Sequence, residues 1–155
     1  MDAILKSNRN YIVVFPNNDL GSEVILNEYK RLDKNNHFRL FASLRFEYFL
    51  TLLKNCDAII GNSSAGIRES GIYGIPAIDI GTRQNGRYSV AKNTNIQHVS
   101  ENTEEILDAL GRLDSYKTAS FVFGDGNSTE KFMNIVKNND FWSMEIQKHF
   151  VDLDM

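Results

Sequence analysis

A chain of 155 residues is one domain's worth of polypeptide and long enough to bury a real core. Its 42% hydrophobic and 24% charged content is ordinary for a soluble globular protein, while a net charge of -3 and a pI near 5.6 argue against a nucleic-acid binder. No apolar run approaches the roughly 20 residues of a membrane span, residues 1–11 lack the apolar stretch of a secretory signal, and the single cysteine, Cys56, allows no internal disulfide, so a cytoplasmic protein is expected.

Taken in chain order, the first apolar run is Tyr11-Ile12-Val13-Val14-Phe15, too short and too uniformly apolar for an exposed strand. It reads as a buried one, ended by Pro16 and a turn cluster of Asn17, Asn18, Asp19 and Gly21. Ser22 is placed to cap a helix whose apolar positions Ile25, Tyr29 and Leu32 recur at helical spacing. Residues 37–41 predict a second strand, and Phe46, Phe49, Leu50 and Leu53 the stripe of the next helix. Residues 57–61 predict a third strand, then a short helix carrying Ile67, Arg68, Glu69 and Ile72 that ends at Gly74 and cannot continue past Pro76. Strands at 77–80 and 96–99 follow, and Asn102 with Glu105 is spaced as a capping pair. That pair precedes a helix through Ile106, Leu107, Leu110 and Leu113. Two last helices are expected over residues 128–137 and 141–153. Strand and helix alternating at this spacing predict a single α/β domain over residues 1–155, Rossmann-like, with a parallel sheet and helices on both faces.

In such sheets ligands bind beyond the carboxyl ends of the strands. The loop Gly61-Asn62-Ser63-Ser64-Ala65-Gly66 joins one of those ends to a helix. Its small residues admit a ligand close to the backbone, the first-turn amides suit an anion, and Ser63 and Ser64 add hydroxyl donors. A diphosphate fits there; so does a well-capped turn with no ligand. Glu69 has the reach to accept both hydroxyls of a ribose, or it merely complements a helix dipole. Arg83, with Arg87 as second candidate, lies in the loop after the next strand and either holds a phosphate or is simply solvated. Asn17 either closes an Asx turn or faces the site. His37, His98 and His149 have no neighbours arranged for a metal or a nucleophile, and no cofactor is implied.

Four stretches occur in series: residues 15–22 (Phe-Pro-Asn-Asn-Asp-Leu-Gly-Ser), residues 61–69 (Gly-Asn-Ser-Ser-Ala-Gly-Ile-Arg-Glu), residues 81–87 (Gly-Thr-Arg-Gln-Asn-Gly-Arg) and residues 124–127 (Gly-Asp-Gly-Asn). Together they closely resemble the C-terminal domain of the UDP-N-acetylglucosamine 2-epimerases, which have the two-domain GT-B fold. The Asn-Ser-Ser and Gly-Thr-Arg-Gln pieces resemble the hydrolysing branch, which releases UDP and N-acetylmannosamine for sialic-acid-type sugar synthesis. The resemblance implies a UDP-binding set of Asn17, Ser63, Ser64, Gly66, Glu69 and Arg83. It implies UDP or UDP-N-acetylglucosamine as partner, and catalytic acid and base residues on an N-terminal domain that this chain lacks. Some relatives carry a lysine where this chain has Glu23. Two other readings stand beside it: half of a UDP-sugar glycosyltransferase, and a nucleotide-binding module without chemistry.

The resemblance also makes residues 11–15 the second strand of the domain, with the first expected ahead of Met1. In the order 3-2-1-4-5-6 that first strand is central. Its absence should leave a gap between residues 11–15 and 57–61 or force those strands to pair. The expectation is that the sheet closes over the gap or a second copy fills it. The stretch around Trp142, Ile146 and Phe150 is expected to be packing surface left open to self-association, and a homodimer follows.

Overall fold

The structure is a computed structural model that describes residues 1–89, 91–92 and 94–147. Among these residues the order is α1 (Asp2–Lys6), β1 (Tyr11–Val14), α2 (Ser22–Tyr29), β2 (Phe38–Phe41), α3 (Phe46–Asn55), β3 (Ile59–Gly61), α4 (Ala65–Arg68), β4 (Ala77–Ile80), β5 (Ile96–Val99), α5 (Thr103–Gly111), α6 (Ser128–Val136) and α7 (Asn139–Trp142). Short 3-10 turns follow α2, α4 and α5. Two compact units divide the chain, Met1–Val122 and Phe123–Met155.

Every strand pair in the first unit is parallel, as intervening helices require. Tyr11 stands opposite Phe38, Ile59 opposite Ala77, and Ala77 opposite Ile96. The strands nevertheless form two sheets, β1 with β2 and β3-β4-β5. Closure over the gap, expected from the sequence, does not occur: β1 and β3 do not pair. Side-chain contacts, not a strand ladder, link the two sheets. At the start of β1, Arg9 Nη2 donates to the Leu110 carbonyl (3.4 Å), and Ala3 of α1 is buried in the core that lies against α5. At the other end, Arg83 bonds both to Asp19 beyond β1 and to the carbonyl of Asn62 beyond β3. These contacts link the two sheets at both ends with no ladder between β1 and β3, and each of those strands is paired on one edge only, to β2 and to β4.

Alternation along β3, β4 and β5 sends side chains to two layers. One face buries Ile78 and Val99 with Ile106, Ala109, Leu110 and Leu113 of α5 and its following turn, together with Ala3. The other buries Ala77 and Ile96 against Ile67 of α4. Helices therefore cover both faces of the three-stranded sheet, as the apolar pattern predicts.

Local departures from the sequence reading have local causes. Ser22 does not cap α2: its amide already donates to the Asp19 carbonyl, so Gly21 takes the cap position. The second strand starts at Phe38 because the His37 amide is taken by Asn35 Oδ1. The third starts at Ile59, whose amide makes a bond to Pro76. Asn102 does cap α5, accepting from Glu104 and Glu105, but Glu105 reaches back to the Ser100 amide, not to that of Asn102. Gly74, at φ 66°, ends the turn after α4 in the left-handed region, where a Cβ is strained. Helix α1 has no counterpart in the sequence reading.

In the second unit, the helix expected over 141–153 stops at Trp142, whose indole Nε1 donates to the Val136 carbonyl (2.7 Å) and folds α7 back on α6. Residues 148–155, including His149, Phe150 and Leu153, lie outside the described residues. Neither α6 nor α7 carries a buried residue; Phe132, Ile135, Trp142 and Ile146 are exposed.

Candidate functional site

β3 ends on Gly61, whose φ of 138° lies outside the range of most side-chain-bearing residues and lets the chain turn over the carboxyl end of the sheet. Asn62, Ser63 and Ser64 make that turn. Ser63 Oγ accepts the Ala65 amide (3.3 Å), and the Ser63 carbonyl accepts the amide of Gly66 (3.1 Å). The Ser64 carbonyl accepts from Ile67 and Arg68. Of the first-turn amides expected to suit an anion, those of Ala65 and Gly66 are instead spent inside the loop. Ser63 and Ser64 are both exposed, and the Ser64 hydroxyl makes no hydrogen bond among the described residues. Gly66 is buried, and a Cβ there would stand 3.6 Å from that of Ala77, so its smallness lets α4 lie on β4.

Glu69 does not sit in a first turn: α4 is only four residues long, and Glu69 is its C-cap. A carboxylate there cannot complement the N-terminal dipole of α4, and it makes no side-chain cap bond to the 3-10 turn that follows. Its Oε2 is buried and has no hydrogen-bond partner. Leaving a buried acceptor unpaired costs about 1–3 kcal/mol, more when charged, so this oxygen is short of a donor in the free chain.

The loop after β4 clamps the serine loop through one carbonyl. Asn62 O accepts from Arg83 Nη1 (3.2 Å) and from Gln84 Nε2 (2.7 Å). Arg83 Nη2 also lies 3.4 Å from Asp19 Oδ2, an exposed pair. Gln84 is wholly buried, with Oε1 unpaired, and the sequence reading gave it no role. Its signal was present: it follows Arg83 in the stretch already singled out. Arg87 is exposed and joins neither contact. Glu23 is likewise exposed, in the first turn of α2.

Asn17 is exposed and closes no Asx turn. It lines, with Asp19, Asn62, Ser63 and Arg83, the mouth of a cavity of about 1280 Å³ that runs between β1 and β3. The fold thus brings Asn17, Ser63 and Arg83 to one opening. Ser64, Gly66 and Glu69 lie along the loop and helix beside it and do not line that cavity.

Beneath the loop, Asp79 of β4 is buried. Its Oδ2 accepts from the Tyr88 hydroxyl (2.9 Å) and lies 3.3 Å from His98 Nδ1, while Oδ1 has no partner. Burial and the neighbouring carboxylate push the Tyr88 phenol well above its usual range. His98 therefore has a carboxylate neighbour that sequence alone did not indicate, because β4 and β5 place Asp79 opposite it. The His37 ring nitrogen Nδ1 lies 2.9 Å from the side-chain oxygen of the exposed Asn10.

Residues 1–137 match the family model described as UDP-N-acetylglucosamine 2-epimerase. The UDP-N-acetylglucosamine 2-epimerase of Neisseria meningitidis serogroup B is 42% identical over 160 residues, covering 99% of this chain and 41% of that protein. A UDP-N,N'-diacetylbacillosamine 2-epimerase (hydrolyzing) of Legionella pneumophila is 28% identical over 150 residues, covering 96% of this chain and 39% of that protein. Among solved structures, the Methanocaldococcus jannaschii UDP-GlcNAc 2-epimerase in complex with UDP-GlcNAc and UDP superposes with a TM-score of 0.68 at 20% identity, over 87% of this chain and 37% of that one. This last likeness shows the fold, part of a GT-B architecture. The chain spans about two fifths of the length of these curated relatives.

Proposed function

The chain belongs to the UDP-N-acetylglucosamine 2-epimerase family, and from that premise we propose that it is the UDP-binding half of a hydrolysing epimerase, one that releases UDP and N-acetylmannosamine. The observation that carries the reading is the meeting of Asn17, Ser63 and Arg83 at one cavity mouth beyond the carboxyl ends of β1 and β3. In this proposal Ser63 and Ser64, through their hydroxyls and their own amides, hold the diphosphate, and Gly66 keeps α4 close on β4 beside them. Glu69 accepts the ribose hydroxyls, and Asn17 and Arg83 line the mouth of the pocket. The name of the Legionella relative and the Asn62-Ser63-Ser64 loop support the hydrolysing type.

The reaction eliminates UDP to a glycal and then adds water with inversion at C2. Negative charge grows on the departing phosphate, and the guanidinium of Arg83 and the Ser64 hydroxyl stabilise it. Arg83 would exchange an exposed carboxylate, Asp19, for that phosphate. Proton transfer at C2 is assigned in this proposal to residues from the part of the relatives' length that this chain does not match. The unpaired thiol of Cys56 fits a reducing cytoplasm. The exposed apolar side chains of α6 and α7 favour a homodimer.

Calorimetric titration of the 155-residue chain with UDP tests the reading. Binding is expected, with no release of UDP from UDP-N-acetylglucosamine by the chain alone. A flat titration, or turnover by this chain unaided, would defeat it.

A further inference from the structure

Asp79 is a buried carboxylate outside the proposed UDP set. Ala77 of β4 and Ile96 of β5 face α4, so by alternation Asp79 and His98, each two residues on, face the same side. Burying a carboxylate is costly unless donors meet it. Here the donor nearest Asp79 Oδ2 is the Tyr88 hydroxyl at 2.9 Å, with His98 Nδ1 at 3.3 Å. The raised phenol keeps its proton through neutral pH and so remains a donor.

Tyr88 and Asp79 stand on either side of the loop that carries Arg83 and Gln84. One foot of that loop is Gly81, whose amide donates to the Val99 carbonyl (3.0 Å). The other is Tyr88, whose ring packs on the core of Ile67, Ala77 and Ile96. Between the feet Thr82, Asn85, Gly86 and Arg87 are exposed, while Arg83 and Gln84 reach across to the Asn62 carbonyl. After Tyr88, the next buried residue among those described is Asn95. Without the second foot the stretch from Gly81 to its next anchor is about twice as long, which makes closure roughly threefold less favourable. The hydrogen bond to a charged acceptor adds a larger factor, roughly 12- to 140-fold.

We propose that Tyr88 on Asp79 is a clamp that locks the Arg83–Gln84 loop against the serine loop, so that both are positioning residues for the phosphate site. The consequence for UDP rests on the function proposed above; the clamp itself does not. The serine loop is closed by its own bonds, from the Ser63 and Ser64 carbonyls to the amides of Gly66, Ile67 and Arg68. The clamp therefore reaches UDP through Arg83.

Tyr88→Phe is the test: it removes the hydroxyl, leaves the ring in its core and leaves Asp79 Oδ2 beside His98. Without nucleotide, NMR exchange of the Gln84 side-chain amide protons should quicken at least about tenfold over the unaltered chain. By calorimetry the Kd for UDP should rise at least about fivefold. In the Arg83→Ala chain the same change should raise it less than about twofold, because the loop then has no cation to place. A hydroxyl that only stabilises the fold would weaken UDP equally in both backgrounds. That result, an unchanged Kd in Tyr88→Phe, or unchanged Gln84 exchange overturns the proposal. If the unaltered chain binds no UDP, the UDP-binding function fails and the Gln84 exchange decides the clamp by itself: quickened exchange upholds the lock between the loops, and unchanged exchange ends it.

Discussion

Replacing Arg83 by alanine separates the ligand role of this side chain from its structural one. In the free protein its guanidinium is half exposed and reaches Asp19 at 3.4 Å, an ion pair of the kind worth about 0.2–1 kcal/mol. Its second bond, to the Asn62 carbonyl, is duplicated by Gln84 at 2.7 Å, so the substitution leaves no buried acceptor unpaired. Loss of folding stability should therefore stay at or below about 1 kcal/mol. A hydrogen bond to a charged phosphate is worth about 1.5–3 kcal/mol, or roughly 12- to 140-fold in Kd. Urea melts and UDP titrations of the same preparation measure the two quantities, and titration at two salt concentrations should show a shallower salt dependence in Arg83→Ala. Asp19→Ala is the counter-test: removing the competing carboxylate should leave UDP affinity unchanged or raise it a few-fold. If Asp19→Ala and Arg83→Ala weaken UDP equally, the pair shapes the loop and Arg83 has no phosphate to hold.

Glu69→Ala should weaken UDP by about 1.5–3 kcal/mol, and should weaken the 2',3'-dideoxy nucleotide far less; equal losses for both ligands would remove Glu69 from the ribose. Asn102→Ala deletes the cap that accepts from Glu104 and Glu105 and should cost about 1 kcal/mol in urea unfolding, with UDP affinity intact; no loss would mean the cap is redundant. Asp125 is held down to about 2, first by the hydrogen bond from Lys131 and then by the Asn127 amide. Its contribution is thus fully present above the ordinary carboxylate value of about 3.9 and is lost as pH falls toward 2. In Lys131→Ala the Asp125 carboxyl should titrate closer to its ordinary value by carbon-detected NMR, and an unshifted titration would refute the pairing.

Much of this fold is written in local pattern. The β-branched runs at 11–14, 77–80 and 96–99 become strands, and Gly74 and Asn102 mark helix ends by chemistry that acts within a few residues. What sequence could not show depends on neighbours distant in the chain. The five-residue α1 has too short a pattern to read, and its Ala3 is held by a core built mainly from residues 78–113. The contacts that link the two sheets, Arg9 to Leu110 and Arg83 to Asp19, likewise span 101 and 64 residues. At the site, the serine loop and Arg83 stand out as small and charged residues at strand ends. The consumption of the Ala65 and Gly66 amides, the unpaired oxygen of Glu69 and the clamp by Gln84 appear only once the chain has turned back on itself.

The most direct measurement is diffraction from crystals of the chain soaked in uridine diphosphate. The account expects density for both phosphates over Ser63 and Ser64, the ribose hydroxyls within hydrogen-bond distance of Glu69, and Arg83 swung from Asp19 to a phosphate. Nucleotide bound elsewhere, or a soaked crystal whose serine loop carries none, would contradict it.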